Sequence, residues 1–257
     1  MQGANGANGK MKNYVYKFWA VACALVLGGW SIANATPVDT LVVSDGTDSI
    51  SLSVSGSPVV SGSATTSTYS TSAGSVTWQG TIGSVWNVTL SDVKETGTAT
   101  GITQPQLGLT FSEISSGSGT LTISWTAVGF GPSTGAFAAG INGTLDQATS
   151  LAYSTFYSTA NAVPALTALT SPLAYSSPIG FNESDSAAIG AIGSPFSLTQ
   201  VITITSTGTA HDVSSGTATL TSVPDAGNTL ILLGVAISAL GVFAGFNRRQ
   251  WNRQWSR

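Results

Sequence analysis

The stretch Phe196-Ser197-Leu198-Thr199-Gln200-Val201-Ile202-Thr203-Ile204-Thr205 decides the fold. Phe196, Leu198, Ile202 and Ile204 share one parity with Gln200 between them, and Thr203 and Thr205 take the other face. Successive side chains of a strand point to opposite faces, so the pattern is that of a β-strand with one apolar side. The same alternation runs upstream through Ile50, Leu52 and Val54, then Val76 and Trp78, then Trp86, Val88 and Leu90. It continues through Leu107, Leu109 and Phe111, and through Leu121, Ile123 and Trp125. Clusters such as Asp45-Gly46, Gly117-Ser118-Gly119 and Gly131-Pro132 separate these runs and mark turns. Before Thr229 only Ala187 to Ile192 carries a trace of helical period. The expected fold is mainly β, an antiparallel β-sandwich of jelly-roll-like type, flanked by an N-terminal signal helix and one C-terminal transmembrane helix.

Composition agrees with a sandwich whose surface is polar but little charged. Of the 257 residues, 42% are hydrophobic and only 7% charged, so a core forms while the surface stays polar without many ions. From Thr36 to Ser222 about a third of the residues are Ser or Thr. The β-branch of Thr suits a pleated backbone, and the hydroxyls keep outer faces wet; O-glycosylation is their other use. Ser55 to Ser75 is low in bulky residues and reads as a mobile loop or an edge hairpin. Between the two terminal apolar runs the only base is Lys94. A domain this acidic has nothing with which to neutralise phosphates, which excludes DNA and RNA as partners.

The ends carry addresses. Lys10, Lys12 and Lys17 lead into an apolar run from Phe18 to Ile32, followed by Ala33-Asn34-Ala35. That order is a secretory signal over residues 1–35, with small residues Ala33 and Ala35 placing cleavage after Ala35. A helix of about 15 residues spans roughly 22 Å, short of a bilayer core of about 30 Å, so a retained anchor is the poorer reading. Met11 is an alternative start. Cys23, the only cysteine, lies inside the signal, which leaves the 36–222 domain no disulfide and no thiolate zinc site. Thr229 to Phe246 is an uncharged run stopped by Arg248 and Arg249, and it reads as a spanning helix with the middle domain outside and the basic tail 250–257 inside. Trp251 and Trp255, interleaved with Arg253 and Arg257, suit the headgroup layer.

Immediately before that run stands Val223-Pro224-Asp225-Ala226-Gly227. Pro224 fixes its φ and lacks a donor, Asp225 suits a turn, and Gly227 allows close approach, so the segment is extended and accessible at the membrane face. Together with the apolar run and the Arg pair, residues 223–249 resemble the C-terminal sorting signals of exosortase substrates, the VPDSG-type relative of the PEP-CTERM signal. Ala226 and Asn228 stand where Ser is usual, and residues 250–257 extend past the normal end. The resemblance implies that an exosortase-type membrane protease or transpeptidase recognises Val223, Pro224, Asp225 and Gly227, with Arg248 and Arg249 as membrane stop. It also implies a transient membrane anchor, cutting near the motif, and delivery to the cell exterior, often where exopolysaccharide is made. The order of residues from Gly117 through Phe130, Tyr153, Phe156, Tyr157 and Asn161 to Ile204 is similar to an ectodomain recurring among PEP-CTERM proteins, to which no activity attaches.

Chemistry in the middle is sparse. His211 is the only histidine, and its neighbour Asp212 would point to the opposite face of a strand, which is poor geometry for a triad. No cofactor is expected. For calcium the weak candidates are Asp45 and Asp48, and then Asn182, Glu183 and Asp185; neither group matches an EF-hand loop, and turns account for both. Asp92, Glu95, Glu113, Asp146 and Glu183 supply carboxylates for glycoside hydrolysis only if the fold pairs two of them. Trp78, Trp86 and Trp125 would make a sugar-stacking platform if exposed, but their alternating runs favour core packing. The expectation is an exported, non-enzymatic cell-surface or extracellular-matrix protein with a structural or adhesive role. Its alternatives are a carbohydrate-binding module and a secreted glycan-active hydrolase.

Overall fold

A computed structural model describes residues 38–72, 75–96, 105–133, 135–146, 148–176, 179–208 and 212–223. The strands run in chain order as β1 (Thr40–Ser44), β2 (Ser49–Ser53), β3 (Val59–Ser61), β4 (Thr65–Ser72) and β5 (Ser75–Ile82). They continue as β6 (Trp86–Thr96), β7 (Gln106–Ser115), β8 (Gly119–Phe130), β9 (Ala136–Leu145) and β10 (Thr149–Ser158). The last are β11 (Thr167–Ala168), β12 (Leu173–Ser176), β13 (Ile179–Ala188), β14 (Phe196–Ser206) and β15 (Asp212–Val223). No helix occurs among the described residues, and Ala187 and Ala188 pair with Phe137 and Ala136 as strand, so the helical trace at Ala187 to Ile192 is overridden by sheet pairing.

The strands form two antiparallel sheets. One has the order β11-β10-β14-β8-β1-β2-β3, with β12 also on β10; the other has the order β13-β9-β15-β7-β6-β5-β4. Four pairings organise the whole: β7 with β15, β8 with β14, β9 with β13 and β10 with β12. The chain from Gln106 to Val223 is therefore one long antiparallel ribbon, folded over so that successive pairs fall alternately in the second sheet and the first. Strands β1–β3 widen the first sheet beyond β8, and β6–β4 widen the second beyond β7. Ser55 to Ser72 forms β3 and β4, exposed almost throughout, but they pair with β2 and β5 as the edges of different sheets, so the tract supplies two edge strands and not the expected hairpin.

The inner faces of both sheets share one core, giving a sandwich-like pair of layers. Each alternating run read from the sequence turns its apolar parity inward: Phe196, Leu198, Ile202 and Ile204 are sealed from solvent, as are Leu107, Leu109 and Phe111. Trp78, Trp86 and Trp125 are buried, which removes them as a sugar-stacking platform. Phe130 and Phe137 meet Phe196 at ring-centroid distances of 5.5 and 6.3 Å, joining β8, β9 and β14 across the layers. At one place the core is closed by absence of side chains. Gly143 and Gly216 lie opposite each other on β9 and β15, and the rings of Phe181 and Phe111 fill the space that their missing Cβ atoms leave. A Cβ on Gly143 would stand 2.8 Å from Phe181, and one on Gly216 would stand 3.0 Å from Phe111.

Candidate functional site

Strand parity carries a carboxylate into this core. Along β7 the inward positions are Leu107, Leu109, Phe111, Glu113 and Ser115, whereas Ile114 faces solvent. Opposite them on β15, Asp212 pairs with Ser115 and Ser214 with Glu113, both inward. The facing sheet contributes Ser206 from β14 and Thr149 from β10, themselves a cross-strand pair. Glu113, Ser115 and Ser214 have no solvent exposure, and Asp212, Ser206 and Thr149 are also buried. The end of the sandwich is thus sealed around two carboxylates and four hydroxyls.

The hydroxyl protons run in two chains that bypass Glu113. Ser115 Oγ donates to Ser206 Oγ at 3.1 Å, and Ser206 Oγ donates to Asp212 Oδ2 at 2.8 Å. Ser214 Oγ donates to Thr149 Oγ1 at 3.3 Å, and Thr149 Oγ1 donates to the Asp146 carbonyl at 2.8 Å. A hydroxyl has a single proton to give, so these four are committed. Glu113 Oε1 and Oε2 have no hydrogen-bond partner. Burial pushes the Glu113 carboxyl up to about 7, and the charge of Asp212 adds to that, while nearby Ser214 pulls the other way.

A second buried polar group lies at mid-core. Tyr153 Oη donates to the Thr219 carbonyl at 2.9 Å and stands 3.2 Å from Gln200 Oε1. Gln200 pairs with Trp125, and Gln200 Nε2 and Trp125 Nε1 lack partners. Burial raises the Tyr153 pKa. On the outer face of the first sheet, the chain between β10 and β12 is fastened as a strap. Gly129 N–H donates to Asn161 Oδ1 at 2.8 Å, Ser197 Oγ donates to the Ala162 carbonyl at 2.7 Å, and Ala165 N–H donates to Thr199 Oγ1 at 2.9 Å.

The other candidates fall elsewhere. In the β1–β2 turn, Asp45 Oδ1 accepts from Thr47 N–H and Asp48 N–H at 2.9 and 2.7 Å, and Asp48 Oδ1 accepts from Ser63 N–H at 2.6 Å. The remaining carboxylate oxygens of both face Gly83, where a Cβ would come within 2.5 Å of Asp45 and 3.0 Å of Asp48. Asn182, Glu183 and Asp185 lie on the edge strand β13, and Asp185 caps Ser171 N–H at 2.8 Å, which lowers its pKa. Among the described residues no group of three or more Asp, Glu, His or Cys is placed to hold a metal ion. The five acids Asp92, Glu95, Glu113, Asp146 and Glu183 do not gather into one cleft: Asp92 and Glu183 are exposed on β6 and β13, whereas Glu113 is sealed inside. The partner that Glu113 finds is Asp212, which the sequence offered only as a neighbour of His211; continuing the Leu107-Leu109-Phe111 parity by two residues is the signal that places Glu113 inward.

His211 lies outside the described residues. So do Ala33, Ala35, Pro224, Asp225, Gly227, Arg248 and Arg249, together with the apolar runs 18–32 and 229–246. No helix among the described residues is long and apolar enough to cross a membrane. Val223 is described: it ends β15, pairs with Ala136 and is partly exposed. Comparison with family models, with curated proteins and with solved structures finds no match for this chain.

Proposed function

We propose that this chain is an exported cell-surface or extracellular-matrix protein, sorted and cut by an exosortase-type membrane protease, whose folded middle is a non-enzymatic, jelly-roll-like module with a structural or adhesive role. The observation that carries the reading is the position of Val223. It is the last residue of β15, a strand held between β9 and β7, and it is also the first residue of the Val-Pro-Asp-Ala-Gly segment. The neighbouring Ser222 N–H donates to the Pro105 carbonyl at 2.9 Å, so pairing runs to the end of the strand. Pro224 then provides no donor to prolong the ladder. A processing enzyme acting beyond Val223 leaves every core strand in place.

The strand order supports the jelly-roll reading. The sheets β7-β15-β9-β13 and β8-β14-β10-β12 are what a folded-over ribbon of eight strands produces, with the chain crossing between layers at every step except from β10 to β12. A structural role draws support from the location of the acids. The carboxylates that the fold brings together are Glu113 and Asp212, inside the core, while the outer faces present Ser and Thr hydroxyls. Exopolysaccharide is the partner such a surface would meet outside the cell.

The test is fractionation with intact-mass measurement in the exporting host. The reading expects a released or surface-bound form lacking Arg248 to Arg257, and a Pro224→Ala, Asp225→Ala variant that accumulates as membrane-bound precursor. A mature form that keeps the Arg tail would end it.

A further inference from the structure

We infer that Glu113 and Asp212, with the hydroxyl oxygens of Ser115 and Ser214, form a buried site for a hard divalent cation of calcium size. The inference stands on the inside of the sandwich and is independent of how the protein is exported. Its first ground is composition. The inner faces of β7 and β15 place these four residues in a two-by-two block, with Asp212 opposite Ser115 and Ser214 opposite Glu113. Every potential ligand is an oxygen, which selects a hard cation over zinc or copper. The two carboxylates supply the charged oxygens that calcium takes in a flexible shell of about six to eight, with the hydroxyls as neutral oxygens beside them.

The second ground is Glu113 itself. It is sealed from solvent and both of its oxygens lack a partner. A carboxylate taken out of water costs several kcal/mol unless something compensates it, and hydrogen bonds are the usual remedy. Here the remedy is withheld, because the protons of Ser115, Ser206, Ser214 and Thr149 all point to other acceptors. Toward Glu113 those hydroxyls therefore offer lone pairs, and the one proton entering the block is that of Ser206 on Asp212 Oδ2. Lys94, the only base among the described residues, lies exposed toward the far end of β6, beside Ser75 and Gly108. An environment rich in lone pairs, poor in donors and carrying two acids matches a cation in charge and in chemistry. The rival is a proton on Glu113, and the two differ in what added calcium does.

The experiment uses the full chain in mild detergent, stripped with EDTA and titrated with calcium chloride. For an affinity in the range of extracellular calcium modules, 10 mM calcium raises Tm by roughly 5–10 °C. Terbium gives a second readout, because Trp86 is the cross-strand neighbour of Ser115 and lies close enough to sensitise its luminescence. Glu113→Gln and Asp212→Asn are expected to lose the calcium shift and the terbium signal, whereas the double variant Asp45→Asn, Asp48→Asn keeps both. A wild-type Tm that calcium leaves unchanged, with no terbium signal, overturns the site and assigns Glu113 a proton. A shift that survives in both core variants, or that disappears only with Asp45 and Asp48, also overturns it by placing the ion at the β1–β2 turn. Should the core variants fail to fold, the Asp45→Asn, Asp48→Asn variant decides: a calcium shift and terbium signal kept there support the core site, and their loss overturns it.

Discussion

Replacing Gly143 by Ala adds one methyl group to the inner face of β9, and the surroundings leave no room for it. The new Cβ would lie 2.1 Å from the Ser215 carbonyl oxygen, 2.7 Å from the Gly216 Cα and 2.8 Å from the Phe181 ring. Two of these three neighbours are backbone, so no side-chain rotation relieves them. Bringing the Ser215 contact to ordinary van der Waals separation requires β15 to move by more than about 1 Å relative to β9. That shift acts on the ladder holding Asn142 to Thr217 and Thr144 to Ser215, and it tilts Phe181 away from its stack on Tyr175, whose centroid is 4.6 Å distant. Overpacking of this kind costs about 1–3 kcal/mol, and each weakened ladder bond adds about 1 kcal/mol, for a total of roughly 4 kcal/mol. Against a domain stability of about 5–15 kcal/mol, the urea midpoint falls by roughly 2 M. Gly180→Ala on the adjacent strand is the control: its Cβ would meet nothing closer than 3.8 Å, and stability is expected to stay level or rise by up to about 1 kcal/mol. The assay is equilibrium urea unfolding followed by tryptophan fluorescence. A Gly143→Ala variant within 1 kcal/mol of the wild type would refute the pairing of β9 with β15 in this register.

Other outcomes follow from the same contacts. Tyr153→Phe removes the donor to the Thr219 carbonyl and to Gln200, with an expected loss of about 1–2 kcal/mol by urea unfolding. Asn161 has φ 55° and its side chain accepts from Gly129 N–H, so Asn161→Ala loses both the hydrogen bond and a residue tolerant of that backbone. Asn161→Gly keeps the backbone freedom, and the stability order wild type, Gly, Ala is expected in melting experiments. The Tyr175 hydroxyl is pushed up to about 12, first by burial and then by the charge of Glu183. Its pKa is higher in the fold than in the unfolded chain, so its contribution is present below pH 10 and is lost as pH climbs from 10 through 12. Tyr175→Phe is expected to show a flatter fall in Tm across that alkaline window.

The strands were legible because alternation is a local property. Wherever Val, Leu, Ile, Phe or Trp recurred at every second residue, the pleat carried those side chains inward, and the Trp residues followed the same rule. Glu113 was legible by the same parity, since it continues the inward series of Leu107, Leu109 and Phe111. Its neighbours were not, because Asp212 and Ser206 reach it only through the pairing of strands far apart in sequence. Asp45 and Asp48 illustrate the converse: their spacing showed a turn, and the turn uses their carboxylates to hold backbone N–H groups.

What the amino-acid order settled by itself was therefore the layer chemistry: β-strands with apolar inner faces, hydroxyl-rich outer faces and very little charge between two apolar ends. Only the tertiary structure decided which strands lie side by side, that the chain from Gln106 to Val223 doubles back as a ribbon, and that two carboxylates meet inside it. The reason is physical. Side-chain alternation follows from the geometry of a single strand, whereas register and sheet order depend on contacts between distant segments, which local periodicity does not encode.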